Sequence, residues 1–185
     1  MFSTTMRTPK NTSTSMMFTE PQVPEGKESS TSRTFAEDPF RARFGHRLPR
    51  GLRQEARGMD WRTFMNTYSP SHGQLGIQSF DVEKGRAGRS TYFAELITGR
   101  GTDSERVQSM ELEAMGPVSA TTNMLADAGY RVEIVEFHQF EIFEATATFI
   151  YAAFNNHSVW TMGFGQTPED SIMTAMVCAA NRLHS

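Results

Sequence analysis

The sequence predicts an α+β fold: two tandem βββα units, preceded by a short helical linker and a tail. Three observations carry this. After Pro70, two stretches each pass through three segments of alternating apolar and polar residues. Each ends in a helix opened by proline, at Gly116-Pro117 and at Thr167-Pro168. The chain has 185 residues, 38% of them hydrophobic and 11% aromatic, which suits one domain with a real core. Its first 34 residues are rich in Ser and Thr and show no apolar period, so they cannot offset the entropy of ordering.

Composition removes several classes of function. No apolar run approaches the ~20 residues that a membrane-spanning helix needs. A single cysteine, Cys178, excludes an internal disulfide and any multi-cysteine metal site. A net charge of −3 gives no global case for nucleic acid. The five histidines are scattered, without a His-x-His pair or a carboxylate at ligand spacing. No catalytic residue, metal or cofactor is therefore expected, and the composition fits a cytoplasmic protein.

Residues 1–34 read as a disordered tail. The absence of acids before Glu20, with Arg7 and Lys10 present, also fits a transit peptide, but no amphipathic stripe accompanies it. Residues 35–70 read as a helical linker. Pro49 opens a helix through Leu52 and Ala56 that stops at Gly58, and Asp60 caps a second one carrying Trp61, Phe64 and Met65. From Arg41 to Arg62, seven arginines (Arg41, Arg43, Arg47, Arg50, Arg53, Arg57 and Arg62) face only Glu55 and Asp60. They suit a solvated surface that pairs with a partner's acids, or a patch that holds phosphates. The aromatic interleaving of single-strand binding is missing.

Residues 71–185 carry the two units. In the first, strands are expected at 74–83, 90–98 and 105–114, then a helix from Pro117 with Val118, Leu125 and Ala128 on one stripe and Gly129 as its stop. In the second, strands are expected at 131–138, 145–154 and 157–164, with a turn at Asn155-Asn156. A helix over 168–183 follows, capped by Thr167 with Glu169 and Asp170 in its first turn. Met115-Gly116 and Met162-Gly163 are expected to join strand to helix in each unit. The last helix is apolar nearly all round. One sheet covers one face, so a second chain is expected to cover the other, giving a homodimer.

Four segments, in order, carry a resemblance: Gly116-Pro117-Val118-Ser119-Ala120, Gly129-Tyr130-x-Val132, Val159-Trp160-Thr161-Met162-Gly163-Phe164 and Ala179-Ala180-Asn181-Arg182. They resemble the segments G-P-L-A-A, G-F-x-V, V-W-G-V-G and A-V-N-R of the C-terminal regulatory domain of 2-isopropylmalate synthase, over about 74–183. Leu48-Pro49-Arg50-Gly51-Leu52, with Trp61 and Phe64, is similar to that family's linker subdomain. The resemblance implies a dimeric regulatory domain that binds leucine near the subunit interface. Carried over residue by residue, it implies a ligand site at Gly116, Pro117, Val118 and Ser119, at Ile134 and Phe137, at Ala145 and Ala147, and at Pro168.

The chemistry suits an amino acid. Free N–H groups at 116–119 can hold a carboxylate, Ile134, Phe137 and Ala147 can enclose an aliphatic side chain, and Glu136, Glu141 or Glu144 can pair with the ammonium. Three departures bear on this site. Ala114 stands where the family has glycine, Phe137 where tyrosine is common, and the bulky segment 139–144 where the family has a longer turn of small residues. Either the pocket is reshaped for another ligand, or Phe140 and Phe143 fill it.

The expected function is a non-catalytic regulatory protein of leucine biosynthesis that senses a small aliphatic amino acid. Its partner would be a separate synthase catalytic subunit, since the family's chemistry sits on a TIM barrel of about 250 residues. The alternative is a ligand-free assembly module that docks onto such a barrel through 41–68.

Overall fold

The computed structural model describes residues 38–185. The expected tail, 1–34, lies outside the described residues. Three short helices come first: α1 (Pro39–Phe44), α2 (Arg50–Glu55) and α3 (Trp61–Tyr68). Then come β1 (Gly76–Lys84), β2 (Ser90–Thr98), β3 (Arg106–Ala114) and α4 (Pro117–Asp127). The order repeats with β4 (Glu133–Ile142), β5 (Ala145–Phe154), β6 (His157–Gly165) and α5 (Pro168–Leu183). The fold is α+β, with two three-stranded antiparallel sheets, β1-β2-β3 and β4-β5-β6, each followed by a helix.

The repeat is one of register as well as order. Phe80 pairs with Ala94 and Ala94 with Met110, while Phe137 pairs with Ile150 and Ile150 with Thr161. Both first strands carry a bulge at the same register, between Ile77 and Ser79 and between Ile134 and Glu136. Both helices begin with proline, after the cap residues Gly116 and Thr167. The expected Met-Gly equivalence does not hold. Met115-Gly116 is a connector, but Met162-Gly163 lies inside β6, and the true counterpart of Gly116 is Thr167. Gly163 has another reason to be glycine: a Cβ there would come within 2.3 Å of the Ala175 amide nitrogen, so its absence lets α5 lie directly on β6.

Local signals set several boundaries. Asn155 and Asn156 both take positive φ, 46° and 64°, as a two-residue hairpin between right-twisted strands requires. Thr167 and Asp170 form a reciprocal capping box at α5. The segment 139–144 is not a loose turn. Alternation continues through Ile142, so β4 runs four residues beyond the expected end, and the reversal tightens to Phe143-Glu144. Helix α1 was not expected, although Asp38 caps it as Thr167 caps α5. One Asp38 oxygen accepts from the Arg41 amide, and the other accepts from the Leu48 amide, each at 2.9 Å.

Two apolar cores organise the molecule. One joins Tyr92, Ala94 and Leu96 of the first sheet to Met124 and Leu125 of α4, Ile150 and Ala152 of the second sheet, and most of α5. The other lies on the opposite face of the second sheet, where Phe149, Trp160 and Met162 meet Phe40, Leu52, Phe64 and Tyr68 of α1–α3. The helical segment is thus a cover for the second sheet, with its arginines turned largely outward. This overturns the premise that α5 needs a second chain. Ile172, Met173, Ala175, Met176, Ala179 and Ala180 are all buried within one chain, against β5, β6, α4 and β1.

Candidate functional site

The implied ligand residues fall on three pieces of structure. The first is the start of α4. Gly116 takes extended backbone and offers no side chain to cap the helix, unlike Thr167 at the matching position of α5. The first-turn amides of Val118 and Ser119 therefore form the positive end of the helix dipole without a side-chain acceptor from the cap residue. Ser119 is exposed beside them, whereas Val118 turns inward against the core.

The second piece is the helix-side face of β4. The bulge at Val135 shifts the alternation by one residue, so that Ile134, Phe137 and Gln139 share a face despite uneven spacing. Phe137 is 39% exposed, large for a phenylalanine within a sheet. Gln139 leads from this face to Pro168. Its Nε2 donates to Thr148 Oγ1 at 2.8 Å, to the Pro168 carbonyl at 3.2 Å and to Ser171 Oγ at 3.3 Å. Thr148 and Ser171, both buried, share a hydrogen bond of 2.6 Å. These groups satisfy one another and close the start of α5. Gln139, Thr148 and Ser171 were missed at the sequence level. Polar side chains recurring with the period of the buried face are the signal that could have found them.

The third piece stands apart. Ala145 and Ala147 lie on the other face of the second sheet, among the residues that α1–α3 cover. Ala147 is fully buried there with Phe40, Phe140 and Phe149. Phe137 pairs with Ile150, on the helix side, while Phe140 pairs with Ala147. The structure thus brings Ile134, Phe137 and the Pro168 carbonyl to one face, and puts the two alanines behind it. Phe140 fills the space beside Ala147, but Phe143 fills nothing: it sits at the turn with positive φ and is 89% exposed. Among the three candidate acids, Glu136 shares the α1–α3 side with Tyr151 and lies 3.4 Å from the His138 ring nitrogen. Glu141 follows Gln139 on the helix-side face, and Glu144 is in the turn.

Burial pushes the Cys178 thiol up to about 11, the opposite of what a nucleophile needs, and its Sγ lies 3.7 Å from the Pro70 carbonyl. Among the described residues, no three His, Cys, Asp or Glu side chains gather into a metal-binding group. No helix among them is long and apolar enough to cross a membrane.

The motif residues at the end of α5 are structural. Arg182 donates to the Trp160 carbonyl, and its guanidinium stacks over the Tyr68 ring with 5.7 Å between charge and ring centre. Burial, with the Glu55 carboxylate 3.5 Å away, raises Tyr68 to about 12. Burial likewise lowers the Arg182 pKa from its ordinary value.

What the fold defines is a tandem βββα protein with one uncapped and one closed helix start. Compared with known proteins, the chain matches no family model and no curated protein.

Proposed function

We propose that this chain is a non-catalytic regulatory protein similar to the regulatory domain of 2-isopropylmalate synthase. In this reading it binds a small aliphatic amino acid, leucine foremost, as a homodimer beside a separate synthase catalytic subunit. The observation that carries the reading is the contrast between two equivalent helix starts, Gly116-Pro117 without a cap and Thr167-Pro168 with a full capping box. An uncapped start can take the carboxylate of an amino acid, because its amides point at the ligand and the dipole favours a negative charge. In this reading the resemblance assigns the aliphatic side chain to Ile134 and Phe137, and the chemistry of an amino acid assigns its ammonium to Glu141. Ala145 and Ala147 have no part in this site. The cytoplasm is the compartment that the lone free thiol of Cys178 suits.

A thermal-shift screen of the common amino acids tests the reading. A ligand at a hundredfold over Kd adds about 2.7 kcal/mol, or roughly 5–10 °C for a chain of this size. Leucine is expected to give the largest shift, ahead of valine, since one methylene in an apolar site is worth ~1–3 kcal/mol. The second reading, a ligand-free assembly module, is favoured by the filling of the space around Ala147 by Phe40, Phe140 and Phe149. Absence of any shift with leucine, isoleucine, valine and methionine would select it.

A further inference from the structure

The two sheets share a register, but their outer faces differ. In the second sheet that face presents Phe149, Tyr151, Trp160 and Met162, and α1–α3 cover it. Pair for pair, the matching positions of the first sheet are Phe93, Glu95, Ser109 and Glu111: Phe149 with Met162 becomes Phe93 with Glu111, and Tyr151 with Trp160 becomes Glu95 with Ser109. An apolar seat for helices has become an open acidic face. Asp81, Glu83, Glu111 and Glu113 are exposed on it, Glu113 paired with Arg89 at 3.8 Å, and Phe93 is half-buried between Asp81 and Glu111, its cross-strand neighbours. A hollow of about 460 Å³ lies over Phe93, lined also by Ser79, Glu95, Ser109 and Glu111.

We propose that this face docks the arginine-rich helical layer, α1–α3, of a second copy of the chain. Two copies cannot pack this face on itself, because carboxylates would stand opposite carboxylates. The surface of complementary charge is on the same chain: Arg41, Arg47, Arg50 and Arg62 are exposed on the helical segment. Arginine forks suit carboxylates in pairs, and the Phe93 ring offers an apolar floor for their stems. The proposal gives the self-association of the regulatory reading a surface. It rests on that part alone, and ligand binding does not enter it.

Charge reversal on each surface tests this with the full chain, by sedimentation and light scattering. On the sheet, Asp81→Lys with Glu111→Lys changes exposed positions only. On the helices, Arg50→Glu with Arg62→Glu places carboxylates in the first turns of α2 and α3, where they favour helix formation. Each variant alone should weaken association by tenfold or more, and a mixture of the two variants should restore it. Wild-type association should also weaken as salt rises from about 0.1 M to about 1 M, where the screening length falls from about 10 Å to about 3 Å. A wild-type chain that is monomeric at low salt would assign the face to a different partner and overturn the proposal. So would an assembly indifferent to both reversals. Neither result would alter the thermal shift expected with leucine.

Discussion

Asn181 and Leu75, 106 residues apart in sequence, are held together by two hydrogen bonds. The Leu75 amide donates to Asn181 Oδ1 at 2.9 Å, and Asn181 Nδ2 donates to the Leu75 carbonyl at 2.8 Å. The side-chain amide takes the place of a neighbouring strand and fastens the entry of β1 to the last turn of α5. Gly73 lies so close that a Cβ there would fall 2.2 Å from the Asn181 side chain, which fixes the path of the chain into the strand.

Asn181→Leu should therefore destabilise the whole domain rather than fray its end. Leu75 is 1% exposed, so both its backbone groups lose their partners without gaining water. Each such group costs about 1–3 kcal/mol, so the two together cost roughly 2–6 kcal/mol, a fall in Tm of about 4–24 °C. Calorimetric melting of the variant checks this, and an unchanged Tm would remove Asn181 from the account.

Ala147→Phe should not act on a ligand. The residue is enclosed by Phe40, Phe140 and Phe149, so a phenyl ring there has nowhere to go except by displacing α1. Overpacking of this kind costs about 1–3 kcal/mol or more. The expected readout is faster proteolysis within 38–69, with the leucine-induced thermal shift retained in the population that stays folded.

Cys178 gives a pH signature. Burial raises its folded pKa from 9.0 to about 11, so an unfolded chain releases this proton first as pH rises. Stability from this group is complete below about 9 and is lost between 9.0 and about 11. Two units correspond to roughly 2–3 kcal/mol. Tyr68, raised from 10.0 to about 12 chiefly by burial, continues the decline in the same direction. Denaturant titrations from pH 8 to pH 11 should show falling stability, with a shallower slope in Cys178→Ala. Alkylation of the thiol at pH 8 should be slow until denaturant is added.

What could be read in the sequence follows from the range of the forces involved. Thr167, Pro168 and Asp170 announce α5, because capping acts over three residues, and Asn155-Asn156 announces its hairpin for the same reason. The Asp38-Pro39 signal at α1 was equally local and was overlooked. The partner of each surface was not legible. The all-round burial of α5 within one chain depends on contacts with β1 and α4 far away in sequence, and the seat of α1–α3 on Phe149 and Trp160 is of the same kind. The site suffered from one residue in particular. A bulge at Val135 flips the face of everything after it, putting Phe137 with Ile134 and leaving Ala147 behind the sheet.

The most direct test is a backbone amide NMR titration of the full chain with leucine. The account predicts shifts at Gly116, Val118 and Ser119, together with Ile134 and Phe137, saturating along one binding curve, while Ala145 and Ala147 stay unmoved. Absence of shifts at the start of α4, or perturbation centred on Ala145 and Ala147, would contradict it.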